Sequence, residues 1–146
     1  MTLSIAIAGA AGRMGRALVR AASMSGAFQI VGGTARLEAG RLGGDIGVLA
    51  GCDLLGVTTV ADPRDAARNA DVWIDFTTPA ATLSALTEVA TTRVRAAIIG
   101  TTGFTQAQDA ELADAAKRLA IVRSGNFSLG IHALAGLVRQ AAQKLG

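Results

Sequence analysis

Short apolar runs alternate with amphipathic segments from one end of the chain to the other. The apolar runs are typical of buried parallel strands, and the segments between them repeat their apolar residues at helical spacing. Predicted strands cover residues 3–8, 28–34, 57–60, 72–76, 95–99 and 120–123. Predicted helices cover residues 13–24, 62–69, 78–91, 105–119 and 130–145. The alternation predicts an α/β fold, a Rossmann-type doubly wound parallel sheet of about six strands with helices on both faces.

Residues 35–56 are the long stretch that lacks such a pattern. They are rich in glycine and show little periodicity. Because the stretch exceeds the usual connection of a few residues, we expect either a functional loop or a mobile one. No repeat or linker divides the remainder, so residues 1–146 are expected to form one domain.

Composition narrows the class of protein. Hydrophobic residues make up 51% of the chain and aromatic residues only 3%, which suits aliphatic strands buried under helices. No apolar run approaches the ~20 residues of a membrane-spanning helix, and the N-terminus lacks the features of a secretion signal. We therefore expect a cytoplasmic protein that does not associate with membranes.

The charged residues point to a small anionic ligand rather than to nucleic acid. The formal net charge is +3, and the arginines that dominate it are scattered and have no aromatic residues among them. This pattern disfavours nucleic-acid binding and suits an anionic small molecule at least as well. The chain has one cysteine and one histidine, so we expect no disulfide and no metal site within it. Cys52 is interpreted as a small apolar filler.

Three glycines, Gly9, Gly12 and Gly15, stand where the first predicted strand becomes the first helix. A tight turn at this point needs a residue that adopts positive φ, and a pyrophosphate approaches the backbone only where no Cβ projects. The third glycine allows close packing of the helix, whose free N–H groups and dipole then face the anion. We therefore predict a dinucleotide-binding turn, formed by Gly9, Ala10, Ala11, Gly12, Arg13 and Met14.

Two alternatives accompany this prediction. The spacing departs from the common G-x-G-x-x-G pattern, because Ala11 stands at the second glycine of that pattern, and a glycine-rich turn without a ligand is the simpler interpretation. The preceding strand and the following helix favour the phosphate site. Arg13 is either an exposed helix charge or a pyrophosphate partner, and its position directly after Gly12 favours the partner.

The end of the second predicted strand bears on the choice of cofactor. In dinucleotide folds a carboxylate about 20 residues beyond the glycines binds the ribose hydroxyls, whereas an arginine accommodates a 2′-phosphate. Here no carboxylate occurs until Glu38, and Arg36 is placed to pair with a phosphate. We therefore predict a preference for NADPH, with NADH also usable; the alternative is that Arg36 is an ordinary exposed loop charge.

Four blocks then occur in order along the chain. They are Gly9-Ala10-Ala11-Gly12-Arg13-Met14-Gly15, Asp75-Phe76-Thr77-Thr78-Pro79, Ile99-Gly100-Thr101-Thr102-Gly103-Phe104 and Asn126-Phe127-Ser128-Leu129-Gly130. Together they resemble dihydrodipicolinate reductase, also called 4-hydroxy-tetrahydrodipicolinate reductase, a family of bacterial lysine and diaminopimelate synthesis. The blocks extend over the whole chain and are jointly specific.

The resemblance implies that the later blocks line the nicotinamide end of the dinucleotide. Each block follows a predicted strand, at the edge of the sheet where open parallel sheets bind ligands. Asp75 is either part of the lining beside the cofactor or a structural residue. The residues that the resemblance assigns to the dinucleotide are Phe76, Thr77, Gly100, Thr101, Thr102, Ser124, Gly125, Asn126 and Phe127.

The sequence also departs from the family's pattern. Ala35 stands where the family often has an acidic residue for the ribose, which strengthens the argument for Arg36. His132 stands where the family usually has Asn, and it is interpreted as a helix-surface or packing residue. The resemblance implies a substrate domain with a His-His pair, a lysine and a Gly-Thr, and these are absent from the chain, whose lysines are Lys117 and Lys144. We therefore expect no catalytic residue in residues 1–146 and no turnover by this chain alone.

The activity that the resemblance implies is hydride transfer from NAD(P)H to a cyclic imine-type dicarboxylate. The chain would supply the cofactor-binding half, and the small dicarboxylate would bind only with the substrate domain. The family's homotetramer is built largely through that domain, so we expect this chain to be monomeric or weakly associated and its last helix to expose apolar surface. A stand-alone NAD(P)-binding or sensing module without turnover is the alternative function. A third possibility is a different two-domain dehydrogenase with a similar N-terminal half. The Gly-Thr-Thr-Gly-Phe block argues against it.

Overall fold

The computed structural model describes residues 2–37 and 40–145, so Glu38 lies outside the described residues. The strands are β1 (Leu3–Ile7), β2 (Phe28–Thr34), β3 (Thr59–Val60), β4 (Val72–Asp75), β5 (Ala96–Ile99) and β6 (Ala120–Arg123). The helices are α1 (Arg13–Ser25), α2 (Ile46–Ala50), α3 (Pro63–Ala67), α4 (Pro79–Val89), α5 (Gln106–Ala115) and α6 (Leu129–Leu145).

The six strands form one sheet in the order β3-β2-β1-β4-β5-β6. Every neighbouring pair runs parallel, which confirms the predicted doubly wound α/β fold. The chain winds outward from β1 in one direction through β2 and β3, then returns and winds in the other direction through β4, β5 and β6. The reversal lies between β1 and β4, and this is the position at which such sheets bind ligands.

Alternation along β1 divides the core between the two faces of the sheet. Ile5 and Ile7 point to one face, where they pack with Val19 of α1 and with Ile46 of α2. Ala6 and Ala8 point to the other face, which carries the buried residues of α3, α4 and α5. Parallel strands buried on both faces account for the aliphatic composition. Cys52 packs at the margin of the first face, as its interpretation as an apolar filler requires.

The C-terminal helix, α6, leaves most of its large apolar side chains exposed. Along α6 the side chains of Leu129, Ile131, Leu134, Leu137 and Val138 are exposed. Among the helices of the described residues, 2–37 and 40–145, none has the length and hydropathy of a membrane-spanning segment.

The prediction that residues 35–56 are irregular is wrong over Ile46–Ala50, which form α2. Tertiary contacts decide this, because a helix of one or two turns has too few internal hydrogen bonds to be stable alone. Asp45 caps it: its Oδ1 accepts from the Val48 and Leu55 N–H groups at 3.1 and 3.2 Å, and its Oδ2 accepts from Val57 N–H at 3.1 Å. The predicted strand at 57–60 is shorter in the structure, where β3 comprises Thr59–Val60.

The Asp45 carboxylate makes the stability of the folded protein depend on pH. Its partial desolvation raises the pKa of Asp45, but the backbone N–H groups of Val48, Leu55 and Val57 outweigh this and hold the pKa below its ordinary value of 3.8. A carboxyl whose pKa is lower in the folded state stabilises the protein above its unfolded-state pKa. That contribution is lost as the pH falls through the folded-state pKa.

We therefore expect Asp45→Asn to flatten the acid dependence of stability. In urea titrations the unfolding midpoint of the wild type should fall more steeply than that of the variant as the pH is lowered from about 5 to about 2. Asp53→Asn is the control, because Asp53 lies in the same loop with an exposed side chain. Parallel midpoint curves for the wild type and Asp45→Asn would contradict the assignment.

Candidate functional site

The turn after β1 is held by hydrogen bonds from its backbone N–H groups to the two strands that flank β1. Gly9 has φ +59°, and its N–H donates to Thr34 Oγ1 at 3.0 Å. The Ala10 N–H donates to the Thr34 carbonyl at 2.8 Å, and the Ala8 N–H donates to the Ile74 carbonyl of β4 at 2.8 Å. The turn is therefore held from both sides by β2 and β4.

The first turn of α1 presents backbone N–H groups without a side-chain cap. Gly12 is the N-cap residue and makes no side-chain hydrogen bond to the helix. A Cβ at Gly12 would lie 3.1 Å from the Gly9 carbonyl oxygen, and one at Gly15 would lie 2.7 Å from the Ala10 Cα. The absence of side chains here leaves a small backbone cradle at the positive end of a helix, which fits a phosphate group.

A cleft of about 470 Å³ opens beside this cradle and is lined by Arg13, Met14, Ala17 and Phe76. Arg13 and Met14 are exposed on the first turn of α1. The ring of Phe76, which follows β4, lies 5.6 Å from the ring of Phe127, which follows β6. The cleft is therefore lined by residues of two of the four sequence blocks, and Phe127 of a third block packs against its Phe76.

The two loops after β4 and β5 meet over a buried carboxylate. Asp75 is fully buried, and its Oδ1 accepts from the Thr77 N–H at 2.9 Å and from the Thr77 hydroxyl at 2.6 Å. The Trp73 indole N–H donates to its Oδ2 at 3.4 Å. The Thr77 N–H also lies 3.0 Å from Thr101 Oγ1. Because protein groups engage both carboxylate oxygens, we assign Asp75 a structural role.

Gly100 leaves room for an aromatic ring. A Cβ added at Gly100 would overlap the ring of Phe76, so a side chain there would displace Phe76 from the cleft. Thr101 is buried in this loop and Thr102 is exposed at its surface.

The segment after β6 is a compact turn. Ser124 Oγ donates to the Asn126 carbonyl at 2.8 Å, and Asn126 Oδ1 accepts from the Ser128 N–H at 2.7 Å. His132 of α6 is exposed, as expected, and its Nε2 lies 2.8 Å from the Asn126 carbonyl oxygen. Gly125 is exposed at the surface of the turn.

Arg36 lies on the opposite side of the glycine turn from Phe76. It follows β2, which pairs with β1 on the side away from β4. The Ala35 N–H donates to the Val60 carbonyl at 3.0 Å. Ala35 is buried, and Arg36 is exposed just beyond the end of the strand.

A family model described as "Dihydrodipicolinate reductase, N-terminus" matches residues 3–127. The chain belongs to this family. The resemblance inferred from the four sequence blocks is confirmed, and those blocks are the segments that the fold gathers at the carboxyl ends of β1, β4, β5 and β6.

Curated relatives carry the reductase name. A 4-hydroxy-tetrahydrodipicolinate reductase of Methylocella silvestris is 44% identical over 144 residues, which cover 99% of this chain and 53% of the relative. One from Rhodopseudomonas palustris is 42% identical and covers 98% of this chain and 52% of the relative. The chain thus spans about half the length of these two dihydrodipicolinate reductases.

Solved structures share the fold. Dipicolinate-bound dihydrodipicolinate reductase from Paenisporosarcina sp. TG-14 matches with a TM-score of 0.65 and 24% identity, over 89% of this chain and 49% of that one. RSP, a Rex-family repressor, matches with a TM-score of 0.62 and 15% identity, over 99% of this chain and 61% of that one. At these identities the likeness concerns the architecture alone.

Two polar residues of the site were missed by sequence reasoning. Thr34 binds the Gly9 N–H through its hydroxyl, and nothing in the sequence separates it from other strand-end threonines. Thr82 is fully buried on α4. The sequence did contain a signal for Thr82. It lies on the same helix face as Leu86 and Val89, at i, i+4, i+7 spacing, and it is polar where that face is otherwise apolar.

We expect Asp75→Asn to destabilise the domain. An amide retains one acceptor and introduces a donor opposite Thr77 or Trp73, so at least one buried group loses its partner, at a cost of about 1–3 kcal/mol. Denaturant unfolding followed by circular dichroism measures the change. Asp65→Asn is the matched control: its 2.7 Å pair with Arg68 is exposed, so its loss should cost less than about 1 kcal/mol. Equal, small losses in both variants would refute the structural role of Asp75.

Proposed function

We propose that this chain is the NAD(P)H-binding part of a 4-hydroxy-tetrahydrodipicolinate reductase. The observation that supports this most directly is the uncapped glycine cradle at the start of α1, located where the sheet reverses its winding in a member of the dihydrodipicolinate reductase family. A phosphate group there would meet backbone N–H groups and the positive end of a helix.

In this proposal the cofactor lies along the carboxyl edge of the sheet. The pyrophosphate binds the turn of residues 9–14, with Arg13 as a charged partner. The nicotinamide end lies toward β4, β5 and β6, because the loops after these strands line the same edge. The proposed contacts there are Phe76, Thr77, Gly100, Thr101, Thr102, Ser124, Gly125, Asn126 and Phe127.

The proposed preference is for NADPH over NADH. Arg36 is exposed at the end of β2, on the side of the turn where the adenosine ribose lies in this fold. A guanidinium there pairs with a 2′-phosphate. Ala35, one residue earlier, offers no carboxylate to accept from the ribose hydroxyls, so the contacts that favour NADH are weakened.

When bound, the nicotinamide supplies the hydride that the reductase transfers. The chain's own residues bind and orient the dinucleotide and shield one side of it from water, with Phe76 lining the cleft and packed against Phe127. We propose a cyclic imine-type dicarboxylate as the acceptor. The name of the curated relatives, 4-hydroxy-tetrahydrodipicolinate reductase, supports this substrate class.

Calorimetric titration of the chain with NADPH tests the binding proposal. We expect saturable binding that Gly15→Ala weakens at least about tenfold, because the added Cβ meets the Ala10 backbone at 2.7 Å and pushes the turn out of shape. Gly136→Ala is the matched control, since a Cβ at Gly136 meets no atom within 4 Å. If no binding is detected at ~millimolar NADPH, any binding free energy is weaker than about 4 kcal/mol. That result would refute the proposal.

The cofactor preference has a separate test. Arg36→Ala should weaken NADPH binding by at least about tenfold, since a hydrogen bond to a charged group contributes about 1.5–3 kcal/mol. Binding of NADH should change little, because it has no 2′-phosphate. Arg41→Ala controls for the loss of an exposed arginine nearby. Equal weakening of both cofactors, or wild-type binding that favours NADH by more than about tenfold, would rule out the role of Arg36.

A further inference from the structure

The buried face of α4 contains one hydroxyl group. Thr82, Ala85, Leu86 and Val89 form this face, and Thr82 is the member with a polar side chain. Its relative exposure is 0%. A buried hydroxyl is costly unless it is hydrogen-bonded, so its partners show what the residue contributes.

The partners of Thr82 lie in the two loops assigned to the nicotinamide end. Its Oγ1 is 2.9 Å from Thr101 Oγ1 in the loop after β5. It is 3.4 Å from Thr77 Oγ1 in the segment after β4. The hydroxyl therefore stands between two loops that come from neighbouring strands.

The hydroxyls of Thr77, Thr82 and Thr101 form one hydrogen-bonded cluster with Asp75. The Thr77 hydroxyl donates to Asp75 Oδ1 at 2.6 Å, and the Thr101 hydroxyl donates to the same oxygen at 3.4 Å. Thr101 Oγ1 already accepts from the Thr77 N–H at 3.0 Å, and a hydroxyl oxygen accepts a second hydrogen bond. The 2.9 Å hydrogen bond between the Thr82 and Thr101 hydroxyls completes the cluster, whichever of the two donates.

This cluster lies on one side of the point where the sheet reverses its winding. Thr77 and Thr101 follow β4 and β5, whereas Arg36 follows β2 on the other side of β1. A dinucleotide laid across the glycine turn with its adenosine toward Arg36 has its nicotinamide toward Thr77 and Thr101. A change at Thr82 therefore acts on one half of the ligand.

We propose that Thr82 is a positioning residue for the nicotinamide end of the cofactor. It acts through Thr101 and Thr77 and has no contact of its own with the ligand. The inference deepens the proposed function and rests on it. Thr82→Val keeps the shape and volume of the side chain and removes the hydroxyl, so Thr101 loses a hydrogen-bond partner and the loop after β5 loses this hydrogen bond to α4.

The test compares the binding of NADPH with the binding of a fragment that lacks the nicotinamide. Calorimetric titrations with NADPH and with 2′,5′-ADP, which carries the adenosine and the 2′-phosphate but no nicotinamide, are made on each protein. We expect Thr82→Val to weaken NADPH binding about three- to tenfold, the effect of losing one hydrogen bond, and to leave 2′,5′-ADP binding within about twofold of the wild type. Thr82→Ser, which restores the hydroxyl, should recover most of the NADPH affinity.

Thr87→Val is the matched control, because Thr87 lies on the exposed side of the same helix and its hydroxyl bonds within α4. Unchanged 2′,5′-ADP binding shows that a variant is folded. If Thr82→Val weakens both ligands equally, or neither, the positioning role is wrong while the proposed function stands. If the wild type binds neither ligand, the proposed function itself fails and the inference with it.

Discussion

Parallel pairing of β1 with both of its neighbours is the constraint on which the rest of the structure depends. Ile7, the last residue of β1, is in register with Gly33 of β2 and with Ile74 of β4. Because β2 and β4 run parallel to β1, all three strands end at the same edge of the sheet. The turn after β1 therefore has a strand end on each side. Its backbone N–H groups donate to both, to the hydroxyl and carbonyl of Thr34 and to the carbonyl of Ile74. The glycine turn is thus shaped by the sheet as much as by its own residues.

The same edge is organised by polar groups that are buried beneath it. Asp75 ends β4, and its carboxylate fixes Thr77 and approaches Thr101, so the loops after β4 and β5 share one hydrogen-bond network. Such networks are costly when incomplete and rigid when complete. Phe76 lies above the network, against Gly100 and Phe127. The polar layer holds the loops, and Phe76 lines the cleft.

Most of the fold could be predicted from the sequence because each strand and most helices carry local signals. Apolar runs predicted all six strands, and Asp62 caps α3 through a 2.7 Å bond to the Arg64 N–H, as its position before Pro63 indicates. The helix α2 was not predictable in this way. Its five residues have no repeating pattern, and their conformation depends on Asp45, whose carboxylate reaches groups up to 12 residues away.

The sequence by itself determined the strand-turn-helix unit at the N-terminus, the parallel α/β class and membership of the dihydrodipicolinate reductase family, since these depend on local spacing and on residues within short blocks. Only the tertiary structure decided the role of Asp75, which the sequence left open between cofactor and core. It also decided the place of Thr82, a residue outside every block. Both act through partners from other strands and helices. The hydrogen bond between Thr82 and Thr101, which lie 19 positions apart in the sequence, exists only once α4 has packed on the sheet.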